Sequence, residues 1–427
     1  MSPIIELFED TLENLKVANA DQIKARRDEI TRSLNKHFRS SNSDTLYRLM
    51  VGSWGRHTAI DGVSDLDMIY ILPPSLRGEL HKTGGCRKAL QRTKSAIAKH
   101  YSTTSITVDH LVVVVQFSDF KFEIQPCFEN SDGSFEYPDT YSDSWKRTNP
   151  RAEIEAMRNL NDETSGNARI LCRLARAWRR KHDVEMNGLL IDTLVWRFFD
   201  QTRIYRVPTL LYDQIALEFF TFLSQLPKQE KWNALGSRQV VKVKKNFQGK
   251  AKKAAEFCSD AIASEEKASM YTKWRKVFGR FVPANANSRT LEPREQYQDT
   301  EEFIEDFYPL DIQHDMQINC TVTQNGFRPM SLKYMLQKRI WLRPSKFLHF
   351  EISTTVPEPF ELRWKVLNRG EEAERLDCVR GQIIKGAGKR DHQEHTDFRG
   401  DHYVECYVIQ NGVVVAQSRI DVPIRWE

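Results

Sequence analysis

Residues 65–72, DLDMIYIL, set two carboxylates into an otherwise apolar run rich in β-formers. Strand alternation puts Asp65, Asp67, Ile69 and Ile71 on one face and Leu66, Met68 and Tyr70 on the other. Neighbouring acids at the head of a strand repel each other, and burying either one unpaired is costly. The fold must therefore carry them to a solvated sheet edge or place a positive group between them. Upstream, "VGSWG" supplies a Gly-Ser turn at Gly52 and Ser53, so the local order reads strand, turn, helix start, strand.

Around this nucleus the periodicity changes twice. The first forty residues read as helix, with Ile4, Ile5, Phe8, Leu12 and Leu15 near a 3.6-residue period. A short strand "LYRLMV" enters the Gly-Ser turn, and Pro73-Pro74 ends the acidic strand. A helix over "CRKALQRTKSAIAKHY" follows, then a hairpin-like pair, "ITVDHLVVVVQF" and "FKFEIQPCF", joined at Ser118-Asp119. From Thr164 the chain reads as long helices. After about residue 315 it returns to strands, with Asn411-Gly412 as a hairpin turn. A chain of 427 residues with nine Trp and 23 Phe has the length for more than one domain and the apolar mass for real cores. No apolar run reaches transmembrane length, and the seven scattered cysteines form no CxxC pair. The expectation is a cytoplasmic protein without a disulfide framework.

Charge is unevenly placed. Residues 231–290 hold 14 Lys/Arg against 4 Asp/Glu, whereas residues 291–316 hold 9 acids against one Arg. The basic block suits phosphates, although a solvated helix face is the plainer reading. The acidic block reads as a linker, or as a lid over the basic helices.

In "FKFEIQPCF", Glu123 lies opposite its apolar neighbours Phe122 and Ile124. Pairing of that strand beside the Asp65–Asp67 strand would gather three carboxylates at one sheet edge. Such a set suits two Mg²⁺ ions, or Mn²⁺ in their place, because hard cations take oxygen ligands and keep room for phosphate oxygens. With a Gly-Ser cradle beside it, the constellation fits phosphoryl or nucleotidyl transfer.

These motifs also carry a family resemblance. "GSWGRHTAIDGVSDLD" resembles the signature of DNA-polymerase-β-like nucleotidyltransferases. The Arg-x-Thr after Gly-Ser, "FSDFKFEIQPCFE" and "YPDTYSDSWKRTNP" resemble the bacterial cGAS/DncV-like branch (CD-NTases, or SMODS proteins) over roughly residues 1–285. The resemblance implies a synthase of cyclic or linear oligonucleotide second messengers from ATP and other nucleoside triphosphates, active in anti-phage signalling through a downstream effector. It implies Asp65 and Asp67 as ligands of both metals and Glu123 as the third acid, a Glu where many relatives have Asp. Gly52 and Ser53 would hold the donor triphosphate. Arg176 is the counterpart of a phosphate-facing Lys, with Asn187 or Gly188 where relatives place a Ser.

"FELRWKVLNRGEEAERLDCVRG" and "HQEHTDFRGDHYVECYVI" resemble the AGS-C sensor domain, which implies a module that recognises a nucleotide, the enzyme's own product among the options. Arg380, Trp364 and Tyr403 are its candidate ligand residues. The expected fold is α+β: a polymerase-β-like nucleotidyltransferase core (1–160), a helical half (161–285), an acidic linker (286–314) and a small β-rich, sandwich-like domain (315–427). Two other readings stand beside the leading one. The first is a nucleotidyltransferase acting on RNA 3′ ends or a small-molecule hydroxyl, with RNA or DNA bound by the basic block. The second is a catalytically silent nucleotide sensor.

Overall fold

The helical period of the first forty residues is interrupted because residues 15–18 bond elsewhere. The Asp61 N–H donates to the Leu15 carbonyl and the Ala18 N–H to the Asp61 carboxylate. Two helices result, α1 (Pro3–Asn14) and α2 (Ala20–Arg39), rather than one. The computed structural model describes residues 2–202, 211–264, 269–284 and 302–425, the last range without 325–327, 339, 341, 369–371, 374–378, 387–389 and 397–398. It divides into two compact units, one of residues 1–44 and 49–291, the other of residues 45–48 and 292–427.

In the first unit, β1 (Arg48–Met50) runs into the one-turn helix α3 (Gly52–Gly55), and β2 is Asp65–Ile71. The short α4 (Arg77–Leu80) and α5 (Gly85–Ala98) precede β3 (Ser105–Val108), β4 (Val113–Gln116) and β5 (Lys121–Glu129). The stretch "ITVDHLVVVVQF" is thus two strands. It folds back at Asp109–Val112, where the Asp109 N–H donates to the Val112 carbonyl at 2.9 Å. A hairpin of β6 (Phe135–Asp139) and β7 (Ser144–Thr148) completes the sheet. Its strand order is β1-β2-β5-β4-β3, with β6 and β7 continuing from β5. The decisive pairing is β2 with β5, parallel, in the register Asp65 to Lys121 and Asp67 to Glu123. Leu66, Met68, Phe122 and Ile124 are fully buried, which fixes the register, since a one-residue slip would send every acid into the core.

Amphipathic helices make up the rest of this unit: α6 (Pro150–Glu163), α7 (Asn167–Lys181), α8 (Gly188–Gln201) and α9 (Tyr212–Gln225). A small hairpin of β8 (Lys231–Asn233) and β9 (Val240–Lys242) leads to α10 (Gln248–Ile262) and α11 (Ser269–Phe278). Leu171, Leu174 and Trp178 form the buried stripe of α7 and share one core with Phe8, Phe198, Phe219 and Trp274. Each fully buried phenylalanine contributes roughly 1.5–3 kcal/mol to holding these helices together.

In the second unit, Leu46 clusters with Ile304, Ile312, Tyr407, Ile409 and Val414. After α12 (Ile304–Phe307) come β10 (Met316–Thr323), β11 (Met330–Ser331), α13 (Leu332–Gln337), β12 (Phe347–Thr354), β13 (Glu361–Leu367), β14 (Arg380–Lys385), β15 (Asp391–His395), β16 (Gly400–Gln410) and β17 (Val413–Ile424). They form two sheets, β11-β10-β12-β15 and β14-β13-β16-β17. Alternate residues of both, among them Ile318, Cys320, Phe350, Trp364, Cys406 and Val408, share one core, so the unit is a β-sandwich. Asn411 and Gly412 both take positive φ, 52° and 69°, as a two-residue hairpin turn requires. Residues 286–301 of the expected acidic linker lie outside the described residues.

Candidate active site

Gly52 has φ +62°, and a Cβ there would lie 2.0 Å from Asp67 Oδ2. Only glycine lets the α3 turn close on the acidic strand. The Val51 N–H donates to the Asp67 carbonyl at 3.0 Å, and the Thr58 N–H donates to the Ser53 carbonyl at 2.9 Å. The Gly-Ser turn is thereby clamped directly over Asp67.

On the strands, the parallel register sets Glu123 beside Asp67 and Lys121 beside Asp65. The Lys121 ammonium lies between the acids, 2.6 Å from Glu123 Oε1 and 3.4 Å from Asp65 Oδ1. This is the positive group that two adjacent carboxylates on an apolar strand demand. Asp65 is exposed, whereas burial and the charge of Glu123 push the Asp67 carboxyl up to about 6, with Arg56 pulling the other way. Among the described residues no three acidic, His or Cys side chains yet close on a single ion position. The donor set nevertheless fits a divalent cation. It offers carboxylate oxygens from two paired strands, already holds a cation between two of them, and lies under a glycine cradle with no side chain in the way.

Asp65 and Asp67 open onto a cleft of 970 Å³, within the size range of ligand pockets, with Glu123 beside Asp67 on the neighbouring strand. Gly52, Ser53, Asp65 and Asp67 line it together with cations: Arg179 and Arg180 at the end of α7, and Lys242 and Lys244 from β9 onward. Arg180 donates to the carbonyls of Asp61 and Gly62 at 2.7 and 2.8 Å, tying down the loop before β2. Burial, then repulsion from Arg176 and Arg180, lowers the pKa of Arg179.

Behind the cleft lies a buried network. Arg56 donates to Asp192 at 2.8 Å and to Glu153 at 3.1 Å. Arg176 donates to both oxygens of Asp192, at 2.6 and 2.9 Å, and to the Gly188 carbonyl. Thr58 donates its hydroxyl to Asp192 at 3.1 Å. Burial alone would raise the Asp192 pKa, but Arg176 and Arg56 hold it down at about 2. The structure therefore places Arg176 at the cleft wall with its guanidinium engaged on Asp192. Asn187 accepts from the Leu190 N–H as the N-cap of α8.

Sequence reasoning named the three acids and the Gly-Ser turn; it missed Lys121, Arg179, Arg180 and the Arg56–Asp192 network. The Arg-x-Thr at Arg56 was the available signal for the network, and no motif marks its partner 136 residues on.

Of the three candidate ligand residues of the second unit, Arg380 and Tyr403 both pair with Leu367 from neighbouring strands, whereas Trp364 lies in the sandwich core. Trp364 has no exposed surface and stacks on His392, ring centroids 5.3 Å apart. A residue in the middle of the sandwich core offers no face to a ligand in solution. Tyr403 points away from that core, into a cluster with Leu367 and Val379, and the Arg419 guanidinium lies 3.7 Å from its ring centroid. Arg380 is the exposed member and makes a bidentate pair with Glu394 at 2.7 and 3.0 Å.

The family model of the Second Messenger Oligonucleotide or Dinucleotide Synthetase (SMODS) domain matches residues 1–161. That of the Adenylyl/Guanylyl and SMODS C-terminal sensor domain matches residues 298–425. The chain is a cGAS/DncV-like nucleotidyltransferase. A cyclic AMP-AMP-AMP synthase from Acinetobacter sp. (strain ATCC 27244 / 9458) is 21% identical over 267 residues, covering 57% of this chain and 75% of the relative. Among solved structures, CdnC of E. coli MS115-1, in its complex with HORMA-deltaN, is 14% identical. That match covers 64% of this chain and 96% of CdnC, at a TM-score of 0.49. The Bradyrhizobium diazoefficiens CD-NTase CdnG, solved in complex with GTP, is 10% identical. It covers 66% of this chain and 97% of CdnG, at a TM-score of 0.49. The structure is α+β as expected, with a seven-stranded sheet and amphipathic helices in the first unit and the β-sandwich in the second. No described helix is long and apolar enough to cross a membrane.

Proposed function

We propose that this CD-NTase joins nucleoside triphosphates into a cyclic oligonucleotide second messenger in the bacterial cytoplasm, for anti-phage signalling through an effector that recognises the product. The observation that carries the reading is the juxtaposition of Asp65, Asp67 and Glu123 around a cation, under the Gly52 cradle and facing a cationic wall. In it, Asp65, Asp67 and Glu123 would hold two Mg²⁺ ions. When bound, these supply the charge that lowers the pKa of an attacking ribose hydroxyl and neutralises the donor α-phosphate.

The chain's own groups do the positioning. The short turn at Gly52 and Ser53 presents backbone N–H groups and a hydroxyl to the donor phosphates. Arg179, Lys242 and Lys244 face the departing pyrophosphate from the other wall and favour its negative charge. Asp67, half neutral near pH 6 when no cation faces it, gives up its proton as the site fills. Arg176 acts through Asp192 and Arg56, holding the turn that carries Ser53 against the helical half.

The test is incubation of the full chain with labelled ATP, GTP, CTP and UTP and Mg²⁺, with phosphatase-treated products read by chromatography and mass spectrometry. A short phosphatase-resistant product, absent when Asp65 and Asp67 are both replaced by Ala, is the expected outcome. Extension of an added RNA 3′ end without such a product would favour the RNA-end reading instead.

A further inference from the structure

We infer that the helical half carries a second anion site, separate from the catalytic cleft, shaped for a compact polyphosphate such as the phosphate tail of a nucleotide. It is a cavity of 570 Å³ into which Lys181, the last residue of α7, Lys253 of α10, Arg275 and Lys276 of α11, and Arg280 just beyond converge. No carboxylate lines it among the described residues. Gathering five cations in one hollow costs folding energy through self-repulsion, whereas a surface built only for solubility intersperses its signs.

The occupancy of the five supports a site held open for an anion. Arg275 donates to the Val282 carbonyl at 2.7 Å, and Arg280 pairs with Asp61 at 3.3 Å. Lys181, Lys253 and Lys276 make no ion pair among the described residues. Lys181 stands in the last turn of α7 and Arg275 and Lys276 in that of α11, positions where helix ends favour cations. Lys250, outside the cavity, donates to the carbonyls of His182 and Asp183 at 2.7 and 2.6 Å.

Two aromatic rings, His182 and Phe257, also line the cavity. The rings of His182 and Phe257 lie 28° from parallel with centroids 6.2 Å apart, and Lys253 Nζ is 5.7 Å from the Phe257 centroid. Phosphate-binding cations beside aromatic rings are the two elements a nucleotide calls for. The arrangement favours a compact ligand over a long strand, because the cations ring one hollow instead of tracking along a groove at phosphate spacing. The basic block of the sequence thus has a destination: four of the five cations come from it.

The experiment is calorimetric titration of inorganic tripolyphosphate into the full chain, in EDTA and low salt. It is run on the wild type, on Lys253→Glu with Lys276→Glu, and on Asp65→Asn with Asp67→Asn. Both lysines are exposed, so their reversal leaves the core intact, and a melting curve checks this. If the reversed pair does unfold, Lys253→Gln with Lys276→Gln replaces it. The expected result is binding by the wild type and the Asp variant alike, weakened about tenfold or more by charge reversal and falling as salt rises. Unchanged affinity after charge reversal would overturn the proposal, as would loss of binding in the Asp variant. A third overturning outcome is tight, lysine-dependent binding of a single-stranded RNA of about twelve nucleotides with none of tripolyphosphate, which would make the surface a strand track.

Discussion

Gly52 and Asp67 show how little freedom single residues have here. Gly52→Ala combines a left-handed φ with a Cβ 2.0 Å from the Asp67 carboxylate, so either the turn or the acid must move. Displacement by about an ångström at a reacting centre costs roughly a hundredfold in rate. Gly52→Ala should therefore lose about that much pyrophosphate release and also melt below the wild type, because the left-handed turn is strained by any Cβ. For Asp67 the sign is the reverse of an ordinary ion-paired carboxylate. Its pKa rises from 3.8 to about 6 on folding, so its contribution to stability is fully present below pH 3.8 and lost as pH climbs through 6. In EDTA, stability measured against Asp67→Asn should fall across that window, by at most about 3 kcal/mol. A flat difference would contradict the burial assigned to this acid. At this scale the sequence was informative, because acids on an apolar strand and a glycine before a serine are local features. Lys121 shares a strand face with Glu123 two residues on, but its place beside Asp65 exists only once β2 and β5 pair.

At the scale of elements, the parallel pairing of β2 with β5 makes the site, and the buried network secures the turn in front of it. Asp192 faces two guanidinium groups with none of its side chain exposed. Replacing one partner of a buried pair leaves the others uncompensated, typically at about 3–5 kcal/mol. Asp192→Asn should shift the denaturant midpoint accordingly, and a shift under about 1 kcal/mol would show that the network is not the tie proposed here. Strands and helices were legible from their periods; two boundaries were not. The first helical run breaks where residues 15–18 turn to Asp61, and the valine-rich run folds back at Asp109. The first break is set by hydrogen bonds to a residue more than forty positions along the chain, which no local window contains, and the second by a tight turn that carries neither Gly nor Pro to mark it.

At the scale of the whole molecule, the chain runs from a sheet-centred region through a series of helices to a β-sandwich, and the changes of periodicity in the sequence follow that element order. What the sequence could not convey is which aromatic side chains face inward. Trp364 pairs with Cys406, three residues along β16 from Tyr403, and the two aromatic rings lie on opposite sides of one sheet. The uneven charge was visible, but its gathering around a single cavity depends on how α7, α10 and α11 pack. The central claim is that Asp65, Asp67 and Glu123 form a metal-dependent nucleotide site. It is tested most directly by anomalous diffraction from crystals grown with Mn²⁺ and an ATP analogue that resists attack at the α-phosphate. The account predicts two manganese peaks roughly 3.5–4 Å apart between these acids. The Lys121 ammonium should be displaced, and the triphosphate should lie against Gly52 and Ser53. Analogue bound in the cleft with no manganese at the acids, and Lys121 still between Asp65 and Glu123, would contradict it.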